Sequence, residues 1–480
     1  MKRRTPHTIL TVGNSGGTVS HVSRGCRGPD VGSPSGALRS EAGPLGFGQR
    51  GFALVVTLWI VAALAVLAIS FSRTVMVDQR RCSNTIAAIQ ARQAAIGTVR
   101  YLSALLAATD ATRELPGAET AALDSVPIGG ARVWVLSPFE PGDSEQGPAF
   151  GLVDEGSKLN LNTATRDMLL GLPGMTAELA AAIIDWRDAD DEPGVGGAES
   201  ETYLRLDRPY QCKNGPFEST EELRLVYGCD TDMLYGSDRN LNHVVDSWEA
   251  EGTLDVLGAE ALPAADTGIL HYVTVWSQAP AVRGDGSARI DVNDRDTAPL
   301  IELIRESLGT GPAAAVQLLL SRNRTRFTSL LHFAVTAELT PEQFTKIEGD
   351  LTASNESEDI VPVNVNTASA TVLACLPGID EDAAATLVAY RTAYPDSLES
   401  VLWVTEVLSE EDALQAGPYI TTEISRISAD TVAVGPHGRG YRRFFVVFDL
   451  SASTPVVVHA RDRSALGWAL GHDIREDILQ

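Results

Sequence analysis

Cysteine is scarce in this chain. Five cysteines in 480 residues are too few for a disulfide scaffold. Outside the cytoplasm Cys212 and Cys229 could pair, but two free thiols fit the sequence as well. Basic residues are also short: 38 Lys and Arg stand against 63 Asp and Glu, a formal net charge of −25. Nucleic-acid phosphates demand Lys and Arg, so this balance argues against a nucleic-acid partner. It suits bound cations or a basic partner. The eight histidines show no His-x-x-x-His or Cys/His spacing of the zinc kind. Gly-rich phosphate loops of the Walker or dinucleotide type are missing. His459, Asp462 and Ser464 lie close together, but beside Arg461 and Arg463 they read as a strand end rather than a nucleophile–base set. An enzyme is therefore not expected. Hydrophobic content of 44% and charged content of 21% are ordinary for a globular chain, with length for two or three domains.

The longest stretch without charge runs from Phe52 to Phe71. As a helix it spans about 30 Å, the thickness of a bilayer's hydrocarbon core. Lipid requires every backbone polar group to be paired internally, which leaves a helix as the form. Arg50-Gly51-Phe52 before this run resembles the prepilin processing site of type IV pilin-like proteins. In that family a peptidase cuts after the glycine, here Gly51, leaving Phe52 as the new N-terminus. A secretory signal ending near Ala68-Ile69-Ser70 and a plain membrane anchor are the alternatives; the run is long for the first. Lys2, Arg3, Arg4 and Arg50 favour a cytoplasmic N-terminus, although Arg73, Arg80 and Arg81 follow on the other side. Residues 1–51, rich in Gly, Ser, Pro and Arg near the start, read as a disordered, cleaved leader. Helix formers continue to about Thr109, with Ile89, Ile96, Val99, Leu102 and Leu106 on one face.

Strand signals follow at Ala131–Leu136 and Phe150–Asp154. They return only near the far end, at Ile420–Ile424, Phe444–Asp449 and Val456–Ala460. Between them lies a repeat. Asn160-Leu161-Asn162-Thr163-Ala164 recurs, at a constant offset, as Asn364-Val365-Asn366-Thr367-Ala368. Leu172-Pro173-Gly174 recurs as Leu376-Pro377-Gly378, and Trp186-Arg187 as Tyr390-Arg391. Each copy reads as two helices joined by a Pro-Gly turn, with Asn162 and Asn366 as N-caps of the first helix. Leu179, Ile183 and Trp186 form the buried face of the second. Ser219 and Glu222 make a capping box. Asp291-Val292-Asn293 and Phe327-Thr328-Ser329 mark a degenerate middle copy, and Tyr272–Trp276 reads as an extended link.

Two stretches carry ligand chemistry. Asp238, Asn240, Asn242, Asp246 and Glu249 place side-chain oxygens at the first, third, fifth, ninth and twelfth positions of a calcium loop, with the Val244 carbonyl at the seventh. His243 replaces the usual sixth-position glycine, where a sharp turn is needed. The alternative is a polar Asx-turn loop. The second stretch holds Asp185, Asp188, Asp190, Asp191 and Glu192, followed by Glu199. Such crowded carboxylates repel one another unless a cation or solvent screens them. A second calcium site there stands beside a solvated acidic loop. The hairpin repeats resemble SAM-like and helix-hairpin-helix modules, some of which grip DNA. Here Asp380, Glu381 and Asp382 would repel phosphate, so a packing module is the expectation.

Together, Arg50–Leu54, Val153–Ala164, Asp185–Asp188, Lys213–Phe217 and Asp238–Asn242 resemble the type II secretion system protein K family (general secretion pathway protein K), a large minor pseudopilin. The resemblance covers residues 50–250 best. It implies an α+β fold: a pilin-like N-terminal transmembrane helix on a small antiparallel sheet, with a large inserted α-helical domain of SAM-like/helix-hairpin-helix repeats. The implied layout is a transmembrane part at 52–71, the rest of the pilin helix and first strands at 72–158, helical units at 159–250, 251–360 and 361–415, and closing strands at 416–480. It also implies calcium in the helical domain, a prepilin peptidase, I-type and J-type minor pseudopilins as partners, and an inner-membrane anchor with a periplasmic domain. Major pilins carry Glu at the fifth mature position; here Val56 stands there. A buried carboxylate in lipid is costly unless paired, and a subunit at the tip has no neighbour above to pair it. The resemblance therefore implies a cap at the pseudopilus tip that primes assembly. A membrane-anchored, competence-type DNA receptor is the alternative function; a calcium-dependent secreted hydrolase is a more distant one.

Overall fold

A single helix, α1 (Gln49–Ala108), opens the computed structural model. The structure describes residues 49–109, 112, 114–117, 121, 123–137, 149–244, 249, 268–284, 286–322, 326–353, 360–452 and 454–479. The expected leader, up to residue 48, lies outside them. The chain divides into two units, residues 1–74 and 75–480. In the first, every side chain from Phe52 to Phe71 is exposed. This helix is long and apolar enough to cross a membrane by length and composition.

In the second unit, α1 lies against a sheet, partly on the expected stripe: Leu102 and Leu106 are buried and Val99 packs against the same core, whereas Ile89 is exposed. The other buried positions are Ala87, Ala91, Ala94, Ala95 and Thr98. Alanine is used because the backbones nearly touch. A Cβ at Gly440 would sit 2.4 Å from the Ala88 nitrogen, and one at Gly435 would sit 2.6 Å from the Ala87 carbonyl. Isoleucine on that line would hold the helix off the sheet.

The antiparallel sheet, seven-stranded among the described residues, contains β1 (Val126–Ile128), β2 (Ala131–Ser137), β3 (Ala149–Phe150), β4 (Val153–Asp154), β11 (Arg426–Val434), β12 (Tyr441–Asp449) and β13 (Val456–Asp462). Its order is β1-β2-β11-β12-β13, with β3 on β2 and β4 on β11. The expected strands at 131–136, 444–449 and 456–460 are present. Central β11 has no counterpart among the strands expected from sequence. It is buried from Ile427 to Val434, and its polar members Ser428, Asp430 and Thr431 interrupt any apolar alternation. A helix, Gly471–Leu479, follows the last strand and was likewise not anticipated.

The long insertion between β4 and β11 contains three similar units. Each begins and ends in a two-residue parallel pair. The pairs are β5 (Leu159–Asn160) with β6 (Val273–Thr274), β7 (Ile290–Asp291) with β8 (Leu351–Thr352), and β9 (Val363–Asn364) with β10 (Ile420–Thr421). Two expectations are corrected here. The stretch Tyr272–Trp276 is not a link, because β6 closes the first unit. Ile420–Thr421 does not join the pilin-like sheet, because β10 closes the third. One continuous hydrophobic core runs through all three units, from Leu159 to Ile420, and includes Leu179, Ile183 and Trp186 as expected.

The N-caps also differ from expectation. Thr165 caps α2 (Arg166–Leu170), and Ser369 caps the helix Ala370–Ala374. Asn162 is spent on tertiary structure. Its Oδ1 accepts from the Phe217 N–H at 2.7 Å and its Nδ2 donates to the Phe217 carbonyl at 3.0 Å. Asn293 clamps Phe327 the same way, at 2.8 and 2.9 Å. Asn366 donates to the Leu398 carbonyl and accepts from Trp403 Nε1. Repeat arginines are also occupied internally: Arg187 donates to the carbonyls of Leu161 and Ala164, and Arg391 to those of Val365 and Ala368. These guanidiniums are turned onto their own backbone, away from any phosphate partner.

Candidate metal centre

Helix α3 (Ala177–Arg187) is capped by Thr176 and buries Leu179, Ile183 and Trp186. Its period therefore carries Asp185 inward as well, at 2% exposure. The chain then makes an acidic turn and returns through two glycines that pack on that carboxylate. Gly194 N–H donates to Asp185 at 3.2 Å, and a Cβ at Gly197 would fall 1.9 Å from Asp185 Oδ2. The return places buried Glu199 opposite. One ligand oxygen from each of Asp185, Asp188 and Glu199 lies within 4.8 Å of the others. Asp188 Oδ1 and both Glu199 oxygens are buried without a hydrogen-bond partner.

Electrostatics points the same way. Burial pushes the Asp185 carboxyl up. Burial, then the neighbouring Asp190, raises Asp188. Burial, then Asp185, Asp188 and Asp191, raises Glu199. The adjacent Arg187 offsets this only in part at Asp188, since its guanidinium is bonded to the Leu161 and Ala164 carbonyls. Three converging carboxylates, two of them with orphan oxygens, fit a divalent cation that takes oxygen ligands. Asn214 Oδ1 is a further buried oxygen without a partner.

Of the acidic residues singled out in this stretch, Asp188 and Glu199 meet. Asp190, Asp191 and Glu192 are exposed on the turn. Asp190 Oδ1 accepts from the Glu192 N–H at 2.8 Å, and Asp191 Oδ1 accepts from Ser200 Oγ and Asn214 Nδ2. Asp185, named in the same stretch, meets them. Its signal was an acidic residue in the last turn of an otherwise buried helix face, where the helix dipole disfavours negative charge.

The second stretch begins just past the helix Thr231–Tyr235. Asp238, Asn240 and Asn242 are all fully buried. Asp238 Oδ1 accepts from Asn242 N–H at 3.0 Å, and Oδ2 from His243 N–H at 2.7 Å. Asn242 Oδ1 accepts from Val244 N–H at 3.0 Å. Glu249 Oε1 reaches back to the N–H groups of Arg239 and Asn240 at 2.8 and 3.2 Å. These bonds wind the chain around Asp238 and close the two ends of the loop on each other. His243 takes φ 68°, so it adopts the left-handed turn that glycine would otherwise supply. Val244 is half-buried, and Asp246 lies outside the described residues. Beneath the loop, fully buried Arg443 of β12 donates to the carbonyls of Asn240 and Leu241 and forks onto Asp430.

At the processing site expected from sequence, Gly51 lies within α1 and Phe52 is exposed. Cys212 and Cys229 are free thiols.

Residues 152–236, which hold the first acidic cluster, match the family model for type II secretion system protein K. A helix-hairpin-helix motif model matches residues 358–396, in the third unit. Curated relatives named type II secretion system protein K include one from Pectobacterium carotovorum, 28% identical over 38% of this chain and 60% of its own length. One from Pseudomonas aeruginosa is 25% identical over 48% of this chain and 79% of its own length. One from Klebsiella pneumoniae is 28% identical over 38% of this chain and 59% of its own length. The match thus spans under two thirds of the Pectobacterium and Klebsiella relatives. A solved GspK-GspI-GspJ complex from enterotoxigenic Escherichia coli aligns with 80% of this chain and 97% of the matched chain, at 12% identity and TM-score 0.37. Over residues 152–236 and in these relatives, the chain is similar to type II secretion system protein K.

Proposed function

We propose that this chain is a non-enzymatic minor pseudopilin that caps the tip of a type II secretion pseudopilus and primes its assembly. The observation that carries the reading is the protein K match over residues 152–236. The apolar run Phe52–Phe71 anchors the chain in the inner membrane after cleavage behind Gly51, and the remainder lies in the periplasm. Val56 at the fifth mature position removes a carboxylate that would otherwise need a partner in lipid, which suits a subunit with none above it. Its partners on this reading are I-type and J-type minor pseudopilins. A DNA receptor is the weaker reading, because Arg187 and Arg391 are bound to carbonyls and Asp380, Glu381 and Asp382 open the hairpin's second helix. The test is co-expression with a cognate prepilin peptidase and the I-type and J-type subunits. The mature chain should begin at Phe52 and co-purify with both. A different start, or labelling along the fibre shaft, would defeat the proposal.

Two calcium positions belong to this reading. Asp185, Asp188 and Glu199 hold one ion, with Asp190, Asp191 and Glu192 enriching the rim in negative charge. Asp238, Asn240, Asn242, the Val244 carbonyl, Asp246 and Glu249 hold the other. Calcium supplies charge that cancels repulsion among these carboxylates. At a hundredfold excess over Kd, each ion adds about 2.7 kcal/mol of stability. Chelation is expected to lower the melting temperature, and Asp238→Ala should reduce the difference. Asp188→Asn should act in two directions: it raises the melting temperature in chelator, by removing a repelling charge, and diminishes the gain from calcium. A melting curve indifferent to chelator would refute the calcium assignment.

A further inference from the structure

The sixth position of the 238–249 loop carries a chemical feature that calcium does not use. His243 stands in the left-handed conformation there, and its ring packs edge-on against His271, with centroids 4.7 Å apart. The second histidine is positioned by an equally tight backbone contact. His271 ends the short turn Ile269–His271, which Gly268 introduces at φ 65°. A Cβ at Gly268 would fall 2.3 Å from the Leu234 carbonyl and 2.5 Å from the Gly236 nitrogen. The turn therefore docks directly on the end of the helix that leads into Asp238. That contact holds His271 against the segment leading into Asp238, whose carboxylate in turn accepts the His243 N–H.

We propose that Asp238, His243 and His271 form a site for a divalent transition metal of the zinc class, chemically distinct from the oxygen-only calcium positions. One ligand atom from each of the three lies within 4.8 Å of the others. His271 Nε2 is 3.3 Å from Asp238 Oδ2, yet it is buried and has no hydrogen-bond partner. A tetrahedral ion with ligands at about 2.0–2.2 Å would separate two of them by about 3.4 Å. That spacing is what the pair shows, without the alignment of a hydrogen bond. Two imidazoles and a carboxylate are the borderline donor set that zinc, copper and nickel prefer, whereas calcium takes oxygen alone.

Room for a completing water lies alongside. Both histidines line a partly open cavity of about 50 Å³ together with Thr220, Glu221 and Ser428. Lys158 and Arg463 also reach this cavity, and each is held by a carboxylate: Lys158 is 3.0 Å from Glu155, and Arg463 is 2.9 Å from Asp430, which it shares with Arg443. The His243 and His271 Nδ1 atoms are 2.9 Å apart, a contact that fixes the two rings relative to each other. Second contacts of this kind orient metal-binding imidazoles.

The experiment uses the full chain in detergent, titrated with Co²⁺ as a spectroscopic stand-in and then with Zn²⁺ as competitor. Ligand-field absorption should appear with Co²⁺ and disappear as Zn²⁺ displaces it. His271→Ala should weaken Zn²⁺ binding by roughly 10–100-fold or more. His243→Gly provides the sharper variant, since glycine keeps the left-handed turn and removes only the imidazole. It should lose Zn²⁺ affinity while retaining the calcium-dependent melting shift. No Co²⁺ spectrum, or a Zn²⁺ affinity unchanged in both variants, would overturn the proposal; the latter would place the ion on carboxylates alone. Because Asp238 is common to both sets, calcium response and Zn²⁺ affinity are read separately. Histidine-dependent Zn²⁺ binding without any calcium response would sink the calcium reading and leave this one standing.

Discussion

Arg443→Ala is expected to destabilise the chain by about 3–5 kcal/mol, the cost of breaking a buried ion pair from one side. The side chain is fully buried. It forks onto Asp430 with Nε–Oδ1 and Nη2–Oδ2 distances of 2.8 and 2.9 Å, and its remaining donors go to the Asn240 and Leu241 carbonyls. Truncation leaves two buried carbonyls without a donor and Asp430 dependent on Arg463 alone, at 2.9 Å. Arg443→Lys should recover only part of the loss, because an ammonium cannot span carboxylate and carbonyls in one plane. Both variants should also weaken the calcium-dependent melting shift, since the carbonyls they release lie within the 238–249 loop. Denaturant titration of the full chain measures the first effect. A loss below about 1 kcal/mol would mean that the network is relaxed by water or by Arg463, and that the loop does not depend on the sheet.

Gly440→Ala should be nearly as damaging, at roughly 3 kcal/mol or more. Gly440 has φ +75°, and the added Cβ would meet Ala88 N, Ala87 C and Ala87 O at 2.4, 2.5 and 2.6 Å. All three are backbone atoms, so no side chain can swing aside. Gly129→Ala is the control. It carries a similar φ of +63° with nothing within 4 Å, and should cost only the left-handed strain of about 1–2 kcal/mol. If the two substitutions cost the same, the close approach of α1 to the β11–β12 hairpin carries no energetic weight.

Where the sequence was legible, the signal was local or self-repeating. A charge-free run of twenty residues reads as a helix whatever its purpose, and α1 follows it. The insertion's repeat announced itself by recurring at a fixed offset, so the outer units were visible and the middle one could be found by analogy. Elsewhere the deciding partner lay far along the chain. Central β11 escaped notice because Asp430 is tolerable in a strand only when Arg443, across the hairpin, neutralises it. Asn162 and Asn366 looked like caps, because their bonds to Phe217 and Leu398 cannot be seen from one turn of sequence. The expected face of α1 holds at Leu102 and Leu106 but not at Ile89, because the close contact there selects Ala87 and Ala91. Among the acidic residues, the sequence singled out the whole stretch from Asp185 to Glu192 with Glu199. The structure brings Asp185, Asp188 and Glu199 together and leaves Asp190, Asp191 and Glu192 on the exposed turn, a division that depends on the glycine return and not on local spacing.

The paired strands that bracket each helical unit have a consequence for how such a chain can grow. Neighbouring strands in a sheet are about 4.8 Å apart, so each unit hands the polypeptide back almost where it took it. A cassette with both leads at one doorway can be spliced into a connection without moving the walls on either side. The middle unit, from β7 to β8, meets that specification. Extra length in this protein can therefore be accommodated by copying a plug-in module, leaving the underlying scaffold undisturbed.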